Sequence, residues 1–309
     1  MRRFHILSVA ISFVLLFAIS ACANSPAPAP TSVPAPAAVP TTETAMVEKP
    51  LEDFNAGNFG NSTNIDNPWM PFKPGMRYVY EGTTVEDDGT LLPHRIVINV
   101  TDLTKEIGGV RSLVTWDLDY SDDELVEAEL AFLAQDKEGT VWRMGEYPEA
   151  YADGKIIEAP TWLHGFDEAH AGVMMWANPK LGTPSYAQGW GPAVGWTDRG
   201  KVDQMNQKTC VLLDCYEGVL VIAETSQAEG PDAQQLKYFA RGVGNIRVGW
   251  RGVAEKTKET LELVRIETLN SDELAQVRAK AFELEKSAYE QSPDVYGQTA
   301  PMEQLQAEN

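Results

Sequence analysis

The stretch HGFDEAH at 164–170 sets two histidines, His164 and His170, around two carboxylates, Asp167 and Glu168. Imidazole nitrogens and carboxylate oxygens bind zinc and move protons, so the stretch is a candidate metal centre or the seat of a hydrolase. Its spacing suits neither on regular structure. Six residues turn an α-helix through about 600°, which leaves the side chains about 120° apart around the axis. On a strand they share a face but stand about 20 Å apart. Only an irregular loop brings both to one ion, and Gly165 with Pro160 upstream permits one. The expectation is a solvated or packing loop, with the metal reading as the alternative.

A second acidic stretch is DLDYSDDE at 117–124. Asp117 and Asp119 share a strand face, and the remaining acids follow in a turn. An EF-hand loop read from Asp117 would need glycine at its sixth position and glutamate at its twelfth. The chain has Asp122 and Ala128 there, so that pattern fails. A weaker calcium site through Asp117 and Asp119 remains a candidate beside the default, a solvated acidic turn. Nucleophile motifs are absent: there is no GxSxG, no SxxK and no phosphate-binding glycine loop. A carboxylate pair can occur anywhere in so acidic a chain and has no sequence address. No catalytic residue is assigned and no cofactor is expected. Trp162, Trp176, Trp190 and Trp196 cluster around a long loop. Sugars stack on such rings and apolar ligands fill pockets lined by them, which makes Trp176, Trp190 and Trp196 candidate ligand-binding residues; the alternative is anchoring of core and loop.

The elements that would position these residues are short and extended. Segments at 77–80, 94–100, 110–120, 125–135 and 140–145 alternate in polarity, and Asp136-Lys137-Glu138-Gly139 between the last two reads as a hairpin turn. Further strands fall at 171–176, 216–225, 236–240, 245–250 and 260–267. Residues 178–208, rich in Gly, Pro and Trp, form a long connection that is either functional or partly stranded. The end of the chain differs. Ser271 is a candidate helix cap with Asp272 and Glu273 in the first turn, and Leu274, Val277, Ala281, Leu284 and Ala288 form one apolar stripe. That stripe is expected against the sheet or a partner. The helix should stop before Ser292-Pro293, and the tail at 293–309 reads as disordered.

The start of the chain speaks to location. Arg2 and Arg3 precede an apolar run at 6–19, too short for a mature membrane span, which ends Ile19-Ser20-Ala21-Cys22. This has the form of a bacterial lipoprotein signal at 1–21, with Cys22 lipidated after cleavage. Residues 22–50 are mostly Pro, Ala, Ser and Thr, which bury too little surface to fold and make a stiff, disordered tether. With Cys22 lipidated, Cys210 and Cys215 remain as a pair in an oxidising compartment, and a disulfide across a hairpin is expected. The net charge is −20, which excludes phosphate-driven binding of nucleic acid and polybasic attachment to anionic lipid.

Four stretches, taken in order, carry a resemblance: NPWMPFKPG after NIDN, AQDKEGTVWRMGE at 134–146, AGVMMWANPKLG at 171–182 and YFARGVGNIRV at 238–248. Across about 60–268 the chain resembles a family of secreted bacterial β-rich proteins, often lipoproteins, with no established activity. More distantly it is similar to the half-barrel sheets of lipoprotein carriers. The resemblance implies a fold and an address; it carries no catalytic residues over, and His164 and His170 fall outside its pattern.

The fold class expected is mainly β: a curved antiparallel sheet or partial barrel at 51–269 with a C-terminal helix at 270–292. The function expected is a lipid-anchored protein of the cell envelope, on the extracytoplasmic face of a membrane, which binds a small-molecule or protein ligand without catalysis. The alternatives are an envelope hydrolase using carboxylates with His164 or His170, and a calcium-stabilised structural module.

Overall fold

The computed structural model describes residues 48–85, 89–227, 232–256 and 258–305. The signal segment, Cys22 and nearly all of the tether lie outside the described residues. Strands dominate: β1 Met76–Val85, β2 Leu91–Ile107, β3 Val110–Ser121, β4 Glu124–Gln135, β5 Val141–Ala152, β6 Lys155–Glu158, β7 Trp162–Leu163, β8 His170–Met175, β9 Tyr186–Ala187, β10 Gly189–Trp190, β11 Arg199–Cys210, β12 Cys215–Thr225, β13 Gln234–Ala240, β14 Gly244–Arg251 and β15 Thr260–Thr268. The helix α1, Ser271–Gln291, follows, and a short β16, Glu303–Gln304, ends the path. Local turn chemistry sets the hairpins. Gly108 and Gly109, both at positive φ, link β2 to β3 as a two-residue turn. Asp136 builds the β4–β5 turn by accepting from the amides of Glu138 and Thr140, each at 2.9 Å.

The antiparallel sheet runs β10-β8-β5-β4-β3-β2-β1-β15-β14-β13-β12-β11-β9. Its two ends are adjacent in the chain, because β9 and β10 are separated by one residue. Tyr186–Ala187 bonds β11 and Gly189–Trp190 bonds β8, so this short segment draws the sheet into a nearly closed barrel. The core confirms the closure. Leu113 of β3, Leu133 of β4, Met175 of β8, Val202 of β11, Phe239 of β13 and Leu263 of β15 belong to one buried cluster. Side chains from strands all around a sheet meet in this way inside a barrel.

The opposite face of β2–β5 is also apolar, since α1 covers it. Val114, Leu130 and Phe132 pack with Ala281, Leu284 and Ala288. The predicted stripe therefore lies on the sheet of its own chain, with Leu274 at its half-buried end. The cap is Asn270 rather than Ser271. The Asn270 side chain accepts from the amides of Asp272 and Glu273, and the Glu273 carboxylate accepts from the Asn270 amide, a reciprocal capping box.

The tail corrects the expectation of disorder for 293–305. Tyr296 is fully buried and β16 pairs with β2. A buried ion pair holds this tail. The Lys105 ammonium, 1% exposed, donates to Glu285 at 3.2 Å and to the Ala300 carbonyl at 2.7 Å, and sits 4.0 Å from the Tyr296 ring centre. Glu285 also accepts from the Tyr296 hydroxyl and the Met302 amide. Cys210 and Cys215 face each other across the β11–β12 turn and are joined as a disulfide.

Candidate functional site

The barrel interior changes character along its length. Directly opposed residues share a face. On β3 and β4 the inward pairs are Leu113–Leu133, Thr115–Ala131, Asp117–Glu129 and Asp119–Glu127. The lumen thus passes from an apolar end to an acidic end within four pairs. β5 adds Arg143, opposite Leu133, and Glu146, opposite Ala131. Plain alternation would turn Glu146 outward, but the register shifts at Gly145, which has φ +148. A Cβ there would come within 2.4 Å of the Trp162 carbonyl oxygen. Glycine is thus required at the bulge, which sends Glu146 inward and Tyr147 outward under Tyr296.

Arg143 is hydrogen-bonded to Glu146, lies 3.7 Å from Glu129, and stands 5.6 Å from the Trp196 ring centre. Trp196 stacks on the buried Trp162 at 4.9 Å. From the far wall come Glu224 of β12 and Lys237 of β13, paired at 2.8 Å, with the Gln188 amide donating to Glu224 at 2.6 Å. His94 lies between Asp119, at 2.6 Å, and Glu259, at 3.2 Å.

So many carboxylates in one desolvated space cannot all ionise at their ordinary pH. Burial, then the charge of Glu129, lifts Asp117 well above the usual carboxylate range. Burial and the same neighbour push Glu127 up to about 8. Burial pushes Glu146 up to about 8 against the opposing pull of Arg143. Asp198 is raised by burial and by Glu224, and Glu259 by burial against the pull of His94. For His94, burial favours the neutral ring, but the hydrogen bond and charge of Asp119 and the charge of Glu259 outweigh it and raise the imidazole. The interior therefore stores protons near neutral pH.

Hydrogen bonding inside is incomplete. Asp117 Oδ1, Glu129 Oε1, Arg143 Nε and the Tyr186 hydroxyl are buried with no protein hydrogen-bond partner. Tyr186 is only 2% exposed. Its position follows from the register: Gly200 lies directly opposite Tyr186 on one side and Glu224 on the other. The Tyr186 ring passes over Gly200, where a Cβ would meet its hydroxyl oxygen at 2.8 Å, and so reaches toward Glu224. On this wall a cavity of about 290 Å³ opens, lined by Asp198, Glu224, Thr225, Ser226, Gln235, Glu255 and Glu259.

The residues singled out in the sequence distribute unevenly. Asp117 and Asp119 do not belong to a solvated turn: they point into the lumen, while Asp122 and Asp123 make the turn itself at positive φ. His164 and His170 come together, ring centres 6.0 Å apart, because Asp167 and Glu168 take left-handed conformations in the intervening turn. His164 Nδ1 accepts from the Ala171 amide and its ring packs on Phe54 at 4.2 Å. Burial and the neighbouring His170 lower its imidazole below the usual range. Among the described residues, no group of three or more His, Cys, Asp or Glu side chains is arranged to hold a metal ion. Trp196 borders the acidic lumen, Trp176 stacks edge-on against Tyr186 at 5.5 Å, and Trp190 lines a separate cavity of about 480 Å³ with Arg199 and residues 48–51. Sequence reading did not locate Glu127, Glu129, Arg143, Glu146, Tyr186 or Glu224.

No protein-family model matches the chain, and no curated protein does. Two solved structures are similar to the chain, each at low identity. A Bacteroides fragilis protein classed as exported, with a YmcC-like fold, is 11% identical, with a TM-score of 0.35 over 64% of this chain and 98% of its own. A Parabacteroides distasonis protein classed as a lipoprotein is 9% identical, with a TM-score of 0.34 over 65% of this chain and 100% of its own.

Proposed function

We propose that the chain is a lipid-anchored envelope protein whose barrel binds a small polar ligand in its acidic end, without catalysis. In this reading Cys22 carries the lipid, and the Pro/Ala segment links it to the barrel. The observation that carries the binding reading is a set of buried polar atoms without a hydrogen-bond partner, Asp117 Oδ1, Arg143 Nε and the Tyr186 hydroxyl, in a lumen whose other end is apolar. Buried polar groups are nearly always paired, so a cluster of unpaired ones with both donors and acceptors matches a polar guest. Metabolic labelling with a palmitate analogue tests the anchor: label incorporates into the wild type and is lost in Cys22→Ser. Labelling of both proteins, or of neither, contradicts it.

One observation favours a hydrolase as the second reading. Carboxyls held protonated near neutral pH, as Glu127 and Glu146 are, are what a general acid requires. Under that reading Glu146→Gln abolishes turnover of a glycoside or ester substrate; under the binding reading no turnover exists to abolish. His164 and His170 take no part in either.

A further inference from the structure

We propose that residues 48–54 form a clasp across the seam of the barrel, and that its release opens a side entrance to the lumen. The entrance deepens the binding reading above and rests on it; the clasp does not. The seam is thinly held. β9 joins β11 through two residue pairs, Tyr186–Gly200 and Ala187–Arg199, and β10 joins β8 through two, Gly189–Ala171 and Trp190–His170. Beyond Gly200, the edge of β11 that faces β9 has no further strand partner among the described residues. So short a ladder has few bonds to lose on opening.

The clasp adds bonds from outside the sheet. The Arg199 guanidinium, on β11, donates to the carbonyls of Lys49 at 2.9 Å and Pro50 at 3.1 Å. It also donates to the carbonyl of Ser185 at 2.8 Å and to its hydroxyl at 2.9 Å, immediately before β9. Glu52 accepts from the Ala187 amide of β9 at 3.3 Å. Phe54 stands on the other side of the seam, its ring centre 5.8 Å from that of Trp142 on β5 and 4.2 Å from that of His164. The chain then meets the β4–β5 turn, where the Lys137 amide donates to the Asn58 carbonyl at 2.9 Å. The segment is thus rooted beside β5 and reaches past β9 to β11. It does not pack flush: a cavity of about 480 Å³ opens between residues 48–51 and Trp190, Arg199 and Gln227. A segment held by a few directional bonds beside a hollow opens locally, without unfolding the rest. What it secures is the binding wall. Tyr186, Ala187 and Gln188 are each 2% exposed, and the Gln188 side-chain amide donates to Glu224 at 2.6 Å. Moving β9 aside breaks that bond and opens the wall at Glu224.

The test is hydrogen–deuterium exchange on the full exported chain, with no guest added, for the wild type, Glu52→Ala, Phe54→Ala and Arg199→Ala. The proposal expects amides at 186–190 and 199–202 to exchange about 10-fold faster in each variant, with β2–β4 unchanged. Phe54→Ala decides, because the ring contacts of Phe54 lie with Trp142 and His164 and its effect must reach β11 through the clasp. If Phe54→Ala fails to fold, Glu52→Ala carries the test, since Glu52 is only half-buried. Unchanged exchange at the seam overturns the clasp. A rise shared equally by β2–β4 assigns these residues to general stability and overturns it too. The entrance is read by pulse labelling of Gln188→Cys with a small maleimide, located by peptide mass. Labelling at 188 is expected about 10-fold faster once Glu52→Ala is added. Faster seam exchange with unchanged labelling overturns the entrance. None of these readouts uses a guest, so the binding reading stands or fails separately, on ligand adducts seen by native mass.

Discussion

Single residues decide whether the acidic end of the lumen is stable. Glu127 and Glu146 keep protons in the fold up to about pH 8, whereas in the unfolded chain they release them in the ordinary carboxylate range. Between roughly pH 5 and 8 the folded state then holds more protons than the unfolded state, so stability falls as pH rises through this window. His94, raised by Asp119 and Glu259 against its burial, acts with the same sign. The melting temperature is expected to climb as pH is lowered from 8 to 5, and Glu146→Gln should flatten that slope. A melting temperature that drops across the same interval would contradict the assignment. Glu285 is the other decisive residue. Truncating it to alanine leaves Lys105 buried without its anion and strips the acceptor from Met302 and Tyr296. A loss of about 3–5 kcal/mol is expected by denaturant titration.

At the level of elements, the bulge in β5 and the closing segment β9–β10 shape the site. Gly145→Ala puts a methyl group against the Trp162 carbonyl and forces an unfavourable φ. We expect a loss of at least about 2 kcal/mol, together with a changed environment for Trp162 and Trp196 visible in near-ultraviolet circular dichroism. An unchanged spectrum would show that the bulge does not set the site. The strands themselves were legible, since alternation and turn residues mark them, and so was the helix stripe. The facing of the sheet was not. β4 reads Glu127-Ala128-Glu129-Leu130, which ordinarily means acids toward water. Here α1 covers the outside, so the apolar row is outer and the acids are inner. Nothing in the local pattern of β4, which ends at Gln135, reports a helix that begins at Ser271. The closing strands were hidden for another reason: with two residues each, β9 and β10 are too short for any period to show.

For the whole molecule, a basic start, an apolar run and Cys22 read in the sequence as an export signal, and the described residues form a nearly closed barrel covered on one outer face by its own helix and tail. Among the described residues no helix is long and apolar enough to cross a membrane. The cysteine pair was readable because parity and a short spacing suffice. The candidate site was not, because it draws Asp117 and Arg143 from the β3–β5 wall and Tyr186 and Glu224 from β9 and β12, and only closure of the sheet sets the second pair across the lumen from the first. The central claim is that this interior end holds a guest. The most direct measurement is the native mass of the exported chain after incubation with a panel of small polar amines, sugars and metabolites, for wild type and Tyr186→Phe side by side. The account predicts a discrete small adduct on the wild type that is weakened or lost in the variant. A bare mass for both proteins under every condition would contradict it.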